Sequence, residues 1–191
     1  MTKLLIIIPA RIGSKRLKEK NILPIKNLPM LVYVAKEAMK SKYKPHVYIS
    51  TESKKIINIC NVYGLNYVIR PKKLANDRVE KQEAIIHAYK KLKKKIKPNI
   101  IVSLQPNTPE FKINDLDKAI KFFKKIFLSK SIKEVISLNE NQVMNGAFRI
   151  MTPNGVCKKT LSTNIGVVFT NYIDVHNHKD YLKAKKRIEN D

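Results

Sequence analysis

The chain has 191 residues and is 43% hydrophobic, which fits one globular domain with a sizeable core and excludes an intrinsically disordered protein. A formal net charge of +24 would ordinarily indicate a polyanionic partner, but 33 of the 39 basic residues are lysines spread along the whole chain. A compositional bias towards lysine explains this excess without nucleic acid. A basic nucleic-acid-binding module therefore stays a minority hypothesis.

The first aliphatic run is too short to span a bilayer and lacks the length and cleavage site of a signal peptide. We therefore expect a cytoplasmic protein with no membrane partner. Cys60 and Cys157 are isolated and form neither a CxxC spacing nor a disulfide framework. We expect both thiols to be buried.

Residues 4–8 form an uninterrupted aliphatic run, which predicts a strand buried on both faces of a parallel sheet. Pro9 has no N–H to donate, so we expect the strand to end there. The loop that follows contains Gly13, Ser14 and five cations, and Glu19 is its one acid. Open α/β sheets hold anionic ligands at such a turn, where backbone amides approach phosphate and cations neutralise it.

The alternative is a solvated basic loop in a lysine-rich chain. Two observations oppose it. Two of only six arginines, Arg11 and Arg16, fall in this loop, and the cations directly follow the most strand-like segment. The pattern therefore favours a phosphate site.

Helical periodicity and capping residues predict helices over 29–40, 52–62, 80–97, 114–127 and 179–188, with Thr51 and Asn114 as caps. Strands are predicted over 47–50, 67–69, 100–104, 135–138, 147–150 and 165–169. This alternation predicts βαβ units in a largely parallel sheet. We expect a single domain over 1–191 with an α/β fold, a three-layer α/β/α sandwich around a mostly parallel Rossmann-like sheet.

The segment IIPARIGSKRLKEKN (7–21) resembles the opening signature of the acylneuraminate cytidylyltransferases, the CMP-sialic acid synthetase family, which reads roughly IPARGGSKRLPRKN. This pattern is long and specific, and the chain contains neither GxGxxG nor a Walker A loop. The resemblance implies a sheet of the nucleotide-diphosphosugar transferase type. It also implies that the loop binds the nucleotide through Arg11, Gly13, Ser14, Lys15, Lys20 and Asn21. Of these residues, Arg11 and Lys20 would also be catalytic.

Two further segments carry the resemblance. VIRPKKLANDR (68–78) resembles a family segment that borders the cytosine and ribose, which implies nucleotide binding by Arg70 and Asp77, although an ordinary loop is an equal alternative. SLQPNTPEF (103–111) resembles LQPTSPLR after the central strand. The resemblance places Gln105 at the sugar or the reacting centre, as a catalytic and substrate-binding residue, with Asn107 as a second substrate ligand. Phe111 stands where the family has a basic residue.

NGAFRI (145–150) resembles the family's NGAxY segment near the acceptor. Arg149 suits a carboxylate ligand because its guanidinium binds in a bidentate fork, but a surface arginine on a short strand fits equally.

YIDVHNHKDYLKA (172–184) resembles the family's IDIDTEEDL, in which two aspartates two residues apart hold Mg²⁺. Asp174 occupies the first position and His176 the second. Mg²⁺ prefers oxygen ligands, so His176 is a poor substitute. Either Asp174 suffices with triphosphate oxygens and water, or the activity is altered.

The resemblance implies that CMP passes from CTP, the co-substrate, to an acidic sugar similar to sialic acid, with release of pyrophosphate and with Mg²⁺ as cofactor. A homodimer is possible, although the interval between the LQPNTP and NGAFRI segments is shorter than in typical relatives. Two alternatives stay open: a cytidylyltransferase for another acidic acceptor, such as a different ulosonic acid or a phosphonate, and a nucleotide-binding relative without catalysis.

Overall fold

The computed structural model describes residues 2–76, 79–128 and 132–190. Its strands and helices follow in this order: β1 Leu4–Pro9, β2 Pro24–Ile25, β3 Leu28–Pro29, α1 Met30–Met39, β4 His46–Thr51, α2 Lys54–Val62, β5 Asn66–Ile69, α3 Lys81–Ile96, β6 Ile100–Leu104, α4 Ile113–Leu128, β7 Glu134–Leu138, β8 Met144–Met151, α5 Pro153–Val156, β9 Ile165–Phe169 and α6 His178–Asn190.

The main sheet has seven strands in the order β5-β4-β1-β6-β8-β7-β9. β8 runs antiparallel to β6 and β7, and the other neighbouring strands are parallel. The predicted mostly parallel α/β sheet is therefore confirmed. Because β8 is reversed, its first residues lie beside the carboxyl end of β6, with Phe148 opposite Leu104.

Both faces of β1 are covered, which explains its continuous aliphatic sequence. Leu4, Ile6 and Ile8 pack with residues of α1 and α4 on one face. Leu5 and Ile7 pack with residues of α3 on the other. These two apolar layers are those of the predicted three-layer sandwich.

A third apolar cluster connects α6 with the β2–β3 region and the start of α1. Tyr181, Ala184 and Ile188 of α6 pack with Ile25 and Met30. The Tyr181 hydroxyl donates to the carbonyl oxygen of Pro24 at 2.7 Å. This packing brings the segment before α6 to the loop that follows β1.

Local details differ from the sequence-based expectations. Ser53, and not Thr51, caps α2, since its hydroxyl accepts from the N–H of Ile56. α4 begins at Ile113, so Asn114 lies in its first turn. Cys60 is buried, and burial raises the pKa of its thiol to about 11. Cys157 is exposed, so its predicted burial is wrong. No helix within the described ranges is both long and apolar enough to cross a membrane.

Candidate active site

The carboxyl ends of β1 and β6 meet at one edge of the sheet, since the two strands are parallel neighbours with Ile7 opposite Ser103. The basic loop, residues 10–21, follows β1, and Gln105 follows β6. Ligands bind at this edge in open α/β sheets. The topology therefore places the two best-matched motifs side by side.

Buried polar contacts fix the backbone of the basic loop. Asn21 is buried, and its Nδ2 donates to the carbonyl oxygen of Arg11 at 2.9 Å. The N–H of Ile12 donates to Oε1 of Glu52 at 3.2 Å. With Nδ2 committed to Arg11, the buried Oδ1 of Asn21 has no protein partner among the described residues. That oxygen is available to accept from a ligand.

The basic loop borders a cleft formed by two cavities of about 240 and 420 Å³. The larger cavity is lined mainly by the loop, including Gly13, Ser14 and Lys15. The smaller reaches towards Gln105 and Asn107. The cavities share four lining residues, Arg11, Lys20, Asn21 and His176, so they form one continuous cleft.

Lys20 links the basic loop to the segment before α6. Its ammonium donates to the carbonyl oxygen of Val175 at 2.8 Å. Burial lowers the pKa of Lys20, Asp174 acts in the opposite direction, and Arg16 and Arg11 lower it further. This end of the cleft is thus crowded with positive charge, which a bound polyanion would relieve.

Asp174 lies close to Lys20, His176 and Lys81. Its carboxylate accepts from Nδ2 of Asn107, and Nε2 of His176 lies 3.0 Å from its Oδ2. Burial raises the pKa of Asp174, against the effect of His176, Lys20 and Lys81.

Asn107 is committed to holding the Asp174 segment. Besides its contact with Asp174, its Nδ2 donates to the carbonyl oxygen of Val175 at 3.2 Å. The N–H of Val175 donates back to the carbonyl oxygen of Asn107 at 2.8 Å. This geometry gives Asn107 a positioning contact with Asp174, and the direct substrate contact stays a prediction.

Arg70 lines the smaller cavity, but much of its guanidinium is engaged. Its Nε and Nη2 donate to Oε2 of Glu52 at 2.9 and 2.7 Å. Glu52 therefore ties the end of β5 to the basic loop through Arg70 and Ile12. Asp77, the other nucleotide ligand predicted there, lies outside the described residues.

Arg149 does not line the cleft. Its Nε pairs with Glu134, its Nη1 donates to Gln82 at 3.2 Å, and its Nη2 donates to the carbonyl oxygen of Thr160 at 3.3 Å. These contacts commit the guanidinium to the protein itself. The predicted carboxylate ligand thus has no support from the geometry of the cleft.

Lys81, the first residue of α3, lines the cleft and was not predicted from the sequence. The sequence feature that could have indicated Lys81 is its position shortly after the RPKKLAND segment, which resembles the family. In a chain with 39 basic residues, a single lysine there does not stand out.

The residues present fit a metal only if the substrate supplies most of its ligands. Within the described ranges, no group of three or more His, Cys, Asp or Glu side chains could hold a metal ion. Asp180 is engaged, since it accepts from the N–H groups of His176 and Asn177. Asp174 contacts Asn107 and His176, which line the cleft, whereas Glu80 is the acid that itself lines the smaller cavity. One carboxylate with substrate phosphates and water is a usual Mg²⁺ arrangement.

A sequence-family model described as cytidylyltransferase matches residues 5–165. An N-acylneuraminate cytidylyltransferase from Escherichia coli O18:K1:H7 is 31% identical over 139 residues, which are 73% of this chain and 32% of that protein. A 3-deoxy-manno-octulosonate cytidylyltransferase from Neisseria meningitidis serogroup B is 25% identical over 188 residues, 98% of this chain and 68% of the relative. The chain thus spans about a third of the length of the E. coli relative.

Among solved structures, a CMP:2-keto-3-deoxy-manno-octonic acid synthetase complexed with CTP superposes with a TM-score of 0.80. It is 13% identical, and the match covers 99% of each chain. At this identity the likeness concerns the fold.

Proposed function

Since this chain belongs to the cytidylyltransferase family, we propose that it transfers CMP from CTP to an acidic sugar similar to sialic acid and releases pyrophosphate. The observation that carries the proposal is that the basic loop and Gln105 line one cleft, with Asp174 in contact with its lining residues Asn107 and His176. A loop whose side chains pointed away from Gln105 and Asp174 would have left no place for a nucleoside triphosphate.

The basic loop would hold the triphosphate. Gly13 lets backbone amides approach the phosphates, and Ser14 supplies a hydroxyl donor. Arg11, Lys15 and Lys20 supply positive charge, and all three line the larger cavity. Asn21 would accept a hydrogen bond from the nucleotide through its free buried oxygen.

A hydroxyl of the acceptor would attack the α-phosphorus in line with the departing pyrophosphate. One P–O bond forms to the acceptor and another breaks to the leaving group. Little covalent work falls to the protein, so rate enhancement comes from positioning and from neutralising charge. Gln105 would orient the acceptor beside the reacting phosphorus, and Arg11 and Lys20 would stabilise the charge that develops.

Asp174 would hold Mg²⁺ together with triphosphate oxygens, and the cation would offset the negative charge of the phosphates. Asn107, which lines the cleft, donates to this carboxylate and holds its segment in place. His176 lies beside the same carboxylate, where its ring serves better as a partner of Asp174 than as a ligand of a hard cation.

We propose further that residues 1–191 act as one cytidylyltransferase-like domain, because α6, the last helix, packs against the β2–β3 region near the start of the chain. A cytoplasmic location accords with two free cysteines. A homodimer stays a prediction.

A second acceptor class has specific support. The 3-deoxy-manno-octulosonate relative matches 98% of this chain, whereas the N-acylneuraminate relative matches 73%. An eight-carbon ulosonic acid is therefore the second candidate acceptor. Both classes carry a carboxylate.

Pyrophosphate release tests the proposal. The protein is incubated with Mg²⁺, with CTP or UTP, and with each of four acceptors: N-acetylneuraminate, 3-deoxy-manno-octulosonate, a phosphonate and neutral glucose. We expect release with CTP and at least one acidic acceptor, and none with glucose. Binding of CTP without pyrophosphate release in the presence of any acceptor would support the non-catalytic alternative. Absence of both would overturn the proposal.

A further inference from the structure

Lys81, the first residue of α3, lines the smaller cavity only, whereas Lys15 and Arg16 of the basic loop line the larger one. It lines the smaller cavity together with Gln105, Asn107 and His176. Its side chain is exposed to solvent, yet it stands inside a concave surface, so protein atoms surround the ammonium without sealing it from water. A ligand in the cleft can therefore reach it.

The charges near Lys81 differ from those near Lys20. Arg16 and Arg11 act on Lys20, whereas Asp174 and Arg149 act on Lys81. Among the described residues, Asp174 acts on both lysines, so one carboxylate is shared by two cationic regions, one around each lysine. Burial in the cleft lowers the pKa of Lys81, and Asp174 opposes that effect.

The arginine expected to bind the acceptor carboxylate is occupied. Arg149 is engaged by Glu134, Gln82 and Thr160. Among the described residues, the ammonium of Lys81 makes no hydrogen bond or ion pair, although it stands closer to the cleft than Arg149 does. Lys81 is therefore a cation of the smaller cavity that the described residues leave without such a partner.

We propose that the ammonium of Lys81 binds the carboxylate of the acidic acceptor. The inference rests on the proposed function, because it takes the basic loop as the triphosphate site. The triphosphate would then occupy one cationic region and the acceptor carboxylate the other. The attacking hydroxyl would lie between them, near Gln105.

The test compares Lys81→Met with Lys90→Met. Lys90 is an exposed lysine of the same helix that does not line the cleft, so its replacement removes the same charge elsewhere. Each variant is assayed with N-acetylneuraminate and 3-deoxy-manno-octulosonate, and with the carboxamide of each acid. Binding of the acids to each protein is also measured by calorimetry in the presence of a non-hydrolysable CTP analogue.

We expect Lys81→Met to raise the KM for the acid about tenfold or more, the effect of one charge-assisted hydrogen bond, while the KM for CTP changes less than about twofold. Replacing the acid by its carboxamide should raise the acceptor KM of the wild type by a similar factor. It should change the acceptor KM of Lys81→Met little, because the substitution and the carboxamide remove the same interaction. Lys90→Met should behave as the wild type does.

An unchanged KM and affinity for the acid in Lys81→Met would overturn the inference, and so would a rise confined to the KM for CTP. In both cases an active wild type leaves the proposed function intact. A wild type that neither binds the acids nor releases pyrophosphate would overturn the two together.

Discussion

The side chain of Gln105 occupies the space in which any residue other than glycine at position 146 would carry its Cβ. A Cβ built on Gly146 lies 1.6 Å from Nε2 of Gln105 and 2.8 Å from its Cδ. Gly146 also has a φ of +65°, in the left-handed region that glycine tolerates. The N–H of Gln105 donates to the carbonyl oxygen of Ala147 at 3.1 Å, which holds the end of β6 against β8. Gly146 therefore determines where the Gln105 amide can lie.

Gly146→Ala should displace the end of the Gln105 side chain, because that flexible end yields more readily than the backbone. We expect kcat to fall about tenfold or more, as for a misplaced catalytic group. Gly64→Ala is the matched control, since Gly64 has the same φ of +65° but no atom within 4 Å of its Cβ. Both variants should lose about 1 kcal/mol of stability from backbone strain. Equal kcat values for the two would contradict the positioning role of Gly146.

Asn107→Ala should weaken metal activation, because Asn107 donates to Asp174 and holds Val175. We expect the Mg²⁺ concentration for half-maximal activity to rise about 10- to 100-fold, as for other residues that orient a metal ligand. Loss of a donor to the carboxylate should also raise the pKa of Asp174 further, so the acidic limb of the pH–rate profile should move to higher pH. An unchanged metal dependence with a raised acceptor KM would instead support the direct substrate contact predicted from the sequence.

Glu52→Ala should destabilise the protein strongly. The side chains of Arg70 and Glu52 are 4% and 11% exposed, and removal of Glu52 leaves a buried guanidinium unpaired. We expect a loss of about 3–5 kcal/mol in the free energy of unfolding by denaturant. The control is Glu189→Ala, which breaks an exposed pair with Lys185 and should cost less than about 0.5 kcal/mol. Similar losses in the two variants would contradict the structural role of Glu52.

Asp174→Asn should stabilise the ligand-free protein while abolishing metal-dependent activity. Because burial raises the pKa of Asp174, the folded state holds the proton more tightly than the unfolded state does. Stability therefore falls as pH rises from the unfolded pKa of about 3.9 through the raised folded value. At pH 7 the variant should melt at a higher temperature than the wild type, and the difference should vanish below about pH 4. A lower melting temperature at pH 7 would contradict this account.

Motif and periodicity together predicted the family and most of the fold. The match over residues 5–165 confirms the cytidylyltransferase family that the IIPARIGSKRLKEKN segment indicated. The run 4–8 predicted β1 because a strand covered on both faces must be apolar throughout. The reversal of β8 was not foreseen, since strand direction depends on the path of the connections and leaves no mark on a short apolar run.

Sequence reasoning was less complete at the site. It selected Arg11, Lys20 and Gln105, which line the cleft, and Asp174, which contacts residues that line it, because these residues sit within long motifs. It did not foresee that Arg149 would be engaged by Glu134, since the partner comes from another strand. It missed Lys81 because lysine is abundant in this chain, and only the folded structure shows that this particular lysine lines the cleft.

The most direct test of the central claim, that the basic loop holds the triphosphate, is the dissociation constant for CTP of Lys15→Ala beside that of Lys18→Ala. Both lysines are exposed, and each substitution removes one positive charge from the same loop. Lys15 lines the cleft, whereas Lys18 does not. We predict that Lys15→Ala weakens CTP binding about tenfold and Lys18→Ala less than about twofold. Equal effects of the two substitutions, or no effect of Lys15→Ala, would contradict the claim.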